Sequence, residues 1–168
     1  MDKKKKKMLI IGGIIALLLI IVIAIVMNYN NDEKYLEVSK RTLPQMQTLI
    51  LDTVEQSVEL KQSALNIMRS YNCSQEQAIN KVKDDNSYKF FTMEIDEKMS
   101  EMYKDLEYLK KHSYSKDKNL SSEIKEVLKK FETSIEEHKQ LKVNSTYSNT
   151  DKDIYEDLQE LKNKINRE

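Results

Sequence analysis

Residues 8–27 read MLIIGGIIALLLIIVIAIVM, an apolar run of twenty residues without a charged or strongly polar side chain. An α-helix rises about 1.5 Å per residue, so this run is about 30 Å long, which matches the hydrocarbon thickness of a bilayer. A single segment in lipid satisfies its backbone hydrogen bonds only as a helix. The sequence therefore predicts a transmembrane helix that begins at Met8 and ends at Met27, with the lipid bilayer as its partner.

Small residues stand near the middle of this run, at Gly12, Gly13 and Ala16. Gly12 and Ala16 have the small-xxx-small spacing through which two membrane helices approach closely. Glycine is also common in membrane helices in general. Self-association of two anchors through this face is therefore one interpretation, and an ordinary membrane glycine pair is the other.

Lysines precede the apolar run, whereas amide and acidic side chains follow it. The basic cluster consists of Lys3, Lys4, Lys5, Lys6 and Lys7, and residues 28–33 read NYNNDE. Lys and Arg beside a membrane helix stay on the cytoplasmic side. We therefore expect residues 1–7 to be a short cytoplasmic tail and the C-terminal domain to lie outside the cell membrane.

A rival interpretation is a signal peptide cleaved after Ala24, where Val22 and Ala24 form a small-residue pattern. The apolar segment of a signal peptide is usually about 7–15 residues long. The run observed here is longer and continues to Met27, which favours an uncleaved signal anchor.

The charge and composition of residues 28–168 restrict the function classes. Of the 28 basic and 28 acidic residues of the chain, five lysines and one aspartate precede the anchor, so the remainder has a net charge of about −4. This mild acidity disfavours nucleic acid and tight docking on an anionic membrane. Low Gly, Pro and Ala with high Lys, Asn and Ile is typical of an AT-rich genome, such as that of a low-GC Gram-positive bacterium.

Both glycines lie inside the anchor and the single proline is Pro44. Residues 28–168 therefore lack the residues of tight hairpin turns and phosphate-binding loops, and their Glu, Lys, Leu and Gln content favours helices. The predicted fold class is all-α: one N-terminal transmembrane helix, followed by an extended antiparallel helical bundle with coiled-coil-like packing.

The clearest apolar pattern lies in a helix predicted over residues 87–111. Its apolar residues alternate steps of four and three, which is a heptad seam: Ile95, Met99, Met102, Leu106 and Leu109. We expect this helix to lie at the centre of the bundle, packed against helices over 43–71 and 120–142.

Helix-capping residues mark the predicted boundaries within residues 28–168. Residues 42–45 read TLPQ, in which Thr42 can cap a helix and Pro44 occupies its first turn. This motif predicts a juxtamembrane helical stalk over 28–42 and the bundle ectodomain over 43–168.

Two further signals lie inside the bundle domain. Residues 74–77, SQEQ, form a capping box, and residues 143–149 are a predicted loop. Thr150 with Asp153 then predicts the start of the last helix.

Few residues suggest chemistry. His112 and His138 lack a Glu three residues earlier, so the Glu-x-x-His pairs of di-iron bundles are absent. Residues 136–138, EEH, indicate a solvated helix face or a half-buried seam position. Cys73 is the single cysteine, with an intermolecular disulfide left open. The sequence predicts no enzyme, no catalytic, cofactor-binding or metal-binding residue, and no small-molecule substrate.

Three functions fit these observations. The first is a membrane-anchored scaffold or binding protein that displays an extracytoplasmic protein–protein interaction surface to a partner or to a second copy. The second is an envelope regulator, such as an inhibitor, immunity or phage-exclusion protein. The third is a ligand-sensing ectodomain, which the short cytoplasmic tail disfavours. The layout is similar to that of membrane-tethered helical-bundle proteins of Gram-positive bacteria.

Overall fold

Five α-helices form the regular structure of the described backbone, which covers residues 3–141 and 149–168 of the computed structural model; side chains are described for residues 16–141 and 150–168. The helices are α1 (Lys3–Tyr71), α2 (Gln75–Asp84), α3 (Asn86–Lys111), α4 (Lys118–Lys139) and α5 (Asn149–Ile165). The all-α class predicted from the glycine-poor composition is thus confirmed.

The helix α1 is continuous through Pro44, so the predicted restart at Thr42 is wrong. A proline inside a helix costs about 3 kcal/mol or more. Leu43 and Met46 on either side of it are completely buried, and burying such a side chain contributes about 1.5–3 kcal/mol each. Packing of the same stripe before and after Pro44 therefore holds the helix together.

Thr42 has a different role from the predicted cap. Its hydroxyl donates to Asp105 on α3 at 3.2 Å, and the Arg41 guanidinium donates two further hydrogen bonds to the same carboxylate at 2.7 and 2.8 Å. These bonds, with that of Arg41 first, lower the pKa of the Asp105 carboxyl. Burial along α1 already begins at Asp32 and Tyr35, so most of the segment predicted as a stalk packs in the bundle.

Four helices run alternately up and down. Arg41 pairs with Asp105 and Asp52 with Lys98, which makes α3 antiparallel to α1. Lys139 near the end of α4 pairs with Asp96 early in α3. The bundle is therefore formed by α1, α3, α4 and α5, whereas the short α2 covers the distal ends of α1 and α3.

The central helix is α1, so the expected central position of α3 is wrong. Within the described backbone, α1 contacts each of the other helices, whereas α3 contacts α1, α2 and α4. The reason is length, because the buried stripe of α1 extends from Tyr35 to Ala64. The seam of α3 faces inward: Met99 is half-buried, and the others are buried, namely Ile95, Met102, Leu106 and Leu109.

One predicted helix start, that of α2, follows its local capping signal. The capping box at α2 is confirmed, since the Gln77 amide donates to Ser74 Oγ at 3.3 Å and the Ser74 amide to Gln77 Oε1 at 3.0 Å. The turn before it is made by Asn72, whose φ of 48° is a conformation that asparagine tolerates. Cys73 is half-buried beside it.

The last loop and helix differ from the prediction. The helix α5 already includes Asn149, so Thr150 lies inside it and does not cap it. The helix α4 ends at Lys139, before the expected residue 142. Most of the loop predicted over 143–149 lies outside the described residues.

Leu106→Ala should lower the free energy of unfolding by about 2–5 kcal/mol, because it leaves a cavity between α3 and its neighbours. Lys104→Ala is the matched control on the exposed side of the same helix and should stay within about 0.5 kcal/mol. Denaturant unfolding of the full chain in detergent, followed by circular dichroism, measures both. Equal midpoints for the two variants would contradict the intramolecular seam.

Candidate functional site

A cluster of buried polar side chains lies where α4 and α5 meet α1. His138 stands in the middle: its Nδ1 is 2.7 Å from Ser57 Oγ, and its Nε2 is 3.1 Å from Asp151 Oδ2. Ser134 Oγ donates to the other carboxylate oxygen of Asp151 at 2.5 Å. We call Ser57, Ser134, His138 and Asp151 the histidine cluster. Each of its members is at most 4% exposed, so His138 lies deeper than the half-buried position expected from the sequence.

The histidine cluster is satisfied in two protonation states. When Ser57 donates to the Val54 carbonyl, 3.0 Å away, its oxygen accepts from Nδ1–H of a doubly protonated imidazole. When Ser57 donates to Nδ1, the neutral ring carries its proton on Nε2. In both states Nε2–H donates to Asp151, so the contact between α4 and α5 persists.

Lys61 on α1 lies beside the histidine cluster and is buried. Burial lowers the pKa of its ammonium group, and the charge of Asp151 opposes that shift. A cleft of about 370 Å³ opens above these groups, and its walls include Lys61, Ser134, His138 and Asp151. A lysine and a histidine therefore share the surroundings of a single buried carboxylate.

The Ser–His–Asp set has the residue types of a nucleophilic triad but not the access. Ser57 is completely buried within α1 and does not line the cleft. Backbone amides within a helix are committed to its own hydrogen bonds, so the residues around Ser57 supply no donors for an oxyanion. The arrangement is suited to fixing α4 and α5 against α1.

Metal ligands do not converge among the described residues, where no group of three or more His, Cys, Asp or Glu side chains has a suitable arrangement. The two histidines lie apart in the bundle: His112 stacks on Tyr108, with ring centroids 4.1 Å apart, whereas His138 belongs to the histidine cluster.

The outer side of α3 exposes large apolar side chains. Phe90 is 64% exposed and Met93, three residues further on, is 57% exposed. Glu97 and Glu101 follow at helical spacing and are exposed as well. We call these four residues the α3 face. It combines an apolar pair with two acidic groups.

Two grooves lie beside the later turns of α3 and meet the α3 face at Glu101. The groove between α1 and α3, of about 310 Å³, is lined in part by Pro44, Leu49 and Met102. The groove between α3 and α4, of about 610 Å³, includes Met99 and Tyr103, of which the tyrosine is 62% exposed. Both grooves are partly apolar, and Phe90 and Met93 line neither of them.

The N-terminal part of α1 is long and apolar enough to span a membrane, by length and composition. Its side chains from Ala16 to Met27 are all exposed. The side chains of other predicted anchor residues lie outside the described set: Lys3, Lys4, Lys5, Lys6, Lys7, Met8, Gly12 and Gly13.

No protein-family model, curated protein or solved structure matches the chain.

Asp151→Ala should destabilise the bundle by about 3–5 kcal/mol, because it removes the carboxylate that His138 and Ser134 share. Asp153→Ala, an exposed change two residues away on α5, should stay within about 0.5 kcal/mol. Urea unfolding of the full chain in detergent tests the pair. If both variants unfolded at the wild-type midpoint, the histidine cluster would not be a structural contact.

Proposed function

We propose that the protein is a membrane-anchored scaffold or binding protein. Residues 8–27 cross the cell membrane once, the lysine cluster stays in the cytoplasm, and the bundle is displayed on the outer side. The exposed apolar surface of residues 16–27 and the charge difference across the apolar run support this topology. A Gram-positive envelope is the expected setting.

The observation that carries the binding role is the α3 face. Phe90 and Met93 expose adjacent apolar surface on a helix whose opposite side is buried in the core. Aromatic residues and methionine are enriched at protein–protein interfaces, and methionine adapts its shape to a partner. The two grooves beside Glu101 offer depressions for further side chains of that partner.

Charge indicates the chemistry of the partner. Glu97 and Glu101 add two carboxylates to the apolar pair, whereas Glu94 nearby is held by Lys98 at 2.9 Å. A complementary surface has apolar side chains flanked by Lys or Arg. We therefore propose a protein segment of this composition as the partner.

Height above the membrane follows from the continuity of α1. Gln56 of α1 donates to Glu94 of α3 at 3.4 Å, which places the α3 face beside residue 56. At about 1.5 Å per residue, this level is about 44 Å beyond Met27. The partner is therefore a protein met well outside the headgroup layer, in keeping with a scaffold. An inhibitor, immunity or phage-exclusion protein would use the same surface, and the identity of the partner distinguishes these functions.

A photoreactive amino acid at Met93 should cross-link a discrete partner in native membranes, because this position lies in the α3 face. Phe90→Ser should remove the product by deleting the adjacent apolar anchor. The matched control is Leu51→Ser, another exposed apolar position, on α1, which should leave the product unchanged. Gel shift and mass spectrometry of the product provide the readout. Equal cross-linking in all three proteins would refute binding through the α3 face.

Topology is tested separately with cysteine labelling. In a Cys73→Ser background, Ser74→Cys should react with a membrane-impermeant maleimide in intact cells, because the turn after α1 lies outside. Lys5→Cys should react only after permeabilisation. The reverse pattern would overturn the orientation. A mature chain that begins after Ala24 would instead show signal-peptide cleavage.

A further inference from the structure

The connection between α3 and α4, residues 112–117, is fixed to the part of α1 that directly follows the apolar run. Ser115 donates to Asp32 from its backbone amide at 2.7 Å and from its hydroxyl at 2.5 Å. The Lys116 ammonium lies 6.0 Å from the centre of the Tyr29 ring. These contacts link the connection to the first residues after the predicted span.

A second set of contacts supports the same connection from inside the bundle. The rings of Tyr114 and Tyr35 stack with centroids 6.4 Å apart, and both side chains are buried. Tyr108 at the end of α3 donates to the Asn31 carbonyl at 3.5 Å. Its ring also lies under the Lys34 ammonium, 4.8 Å from the centroid. The connection and the end of α3 are therefore both held against residues 31–35 of α1.

Because α1 is continuous, its rise per residue gives the height of these groups above Met27, the end of the predicted span. Tyr29 lies about 3 Å beyond Met27, and Asp32 about 7.5 Å, at about 1.5 Å per residue. Each headgroup layer of a bilayer is about 5–7 Å thick. Lys116, which lies beside Tyr29, is thus level with the lipid headgroups, and a tilt of α1 would bring the connection closer still.

Residues 111–118 are richer in lysine than the domain as a whole. Residues 111–118 contain Lys111, Lys116, Lys118 and one carboxylate, Asp117. Lys111 is paired with Glu107 at 3.0 Å, whereas Lys116 and Lys118 are exposed. The Asp117 carboxylate accepts from the Asn119 and Leu120 amides and caps α4. Asp32 and Glu168 also lie at this end, where Ser115 and Tyr114 donate to them, so Lys116 and Lys118 are the cations that can face a headgroup phosphate.

We propose that residues 111–118 and Tyr29, which we call the bundle base, bind the phosphate groups of phospholipids in the membrane that α1 crosses. This inference rests on the membrane anchoring proposed above. It does not depend on which side of the membrane the bundle occupies. Lysine near an anionic leaflet is attracted to it, and tyrosine is enriched at the membrane interface. Contact at the base, to one side of α1, would fix the tilt of the bundle and the height of the α3 face.

The test measures proximity between the bundle base and lipid headgroups. The full chain with Cys73→Ser and Ser113→Cys carries a fluorophore at residue 113, in vesicles of phosphatidylcholine and phosphatidylglycerol with a nitroxide on some headgroups. Strong quenching is expected. The same fluorophore on Cys73 of the otherwise native chain lies beyond the distal end of α1, about 66 Å from Met27, and should stay unquenched.

A second experiment tests the role of the lysine charges and uses the same labelled chain. Because α1 alone keeps residue 113 near the headgroups, Lys116→Gln with Lys118→Gln should reduce the quenching without abolishing it, and vesicles of phosphatidylcholine alone should reduce it as well. Lys129→Gln with Lys152→Gln, two exposed lysines away from the bundle base, should have no effect. Quenching that the first pair of substitutions leaves unchanged would overturn phosphate binding by these lysines.

Failure of this inference is distinguishable from failure of the proposed function. A chain that resists alkaline extraction from vesicles but is unquenched at residue 113 overturns the bundle base alone. A chain that alkali extracts overturns the anchor and the bundle base together. Quenching at residue 113 without a cross-link from Met93 supports the bundle base and leaves the binding role of the α3 face refuted.

Discussion

The unbroken continuation of α1 from the apolar run into the bundle is the constraint on which the remaining structure depends. The same helix supplies the candidate membrane span and the central packing stripe of the domain. A break at Pro44 would divide the central packing stripe of the bundle, which extends from Tyr35 to Ala64. The enclosed side chains of Leu43 and Met46 and the bonds from Arg41 and Thr42 to Asp105 oppose such a break. Every other helix is thereby positioned relative to the apolar segment.

The histidine cluster adds specificity to a core made mainly of aliphatic side chains. Leucine and isoleucine stripes tolerate sliding of one helix along another, whereas a buried imidazole with two hydrogen-bond partners accepts one register. Ser57 is 81 residues from His138 in the chain, and Asp151 is 13 residues from it. Compared with apolar side chains of the same shape, buried polar groups of this kind contribute little net stability, although removal of one partner alone is costly. We infer that this cluster selects the register in which α5 packs between α1 and α4.

The features that the sequence predicted correctly are those that depend on residues close together in the chain. The heptad spacing of α3 and the capping box at Ser74 require only nearby residues, and both are present in the structure. The path through Pro44 was missed, because burial against distant helices outweighed the local cap signal. His138 lies three residues after Ile135 on the inward stripe of α4, so its burial could have been predicted, but its partners on α1 and α5 could not. Likewise, the α3 face is visible in the sequence only as apolar residues outside the seam.

Because the helix between the apolar run and the bundle is continuous, the direction in which the α3 face points depends on the number of residues in between. Each residue of an α-helix turns the chain by about 100° and advances it by about 1.5 Å. One residue added between Tyr29 and Asn31 would therefore rotate the α3 face by about 100° relative to the apolar run, and it would also raise residues 112–117 by about 1.5 Å relative to Tyr29. About seven residues, close to two full turns, restore the original direction, but at a height about 10 Å greater. The number of residues between the apolar run and the bundle thus sets the direction in which the α3 face points around the helix axis.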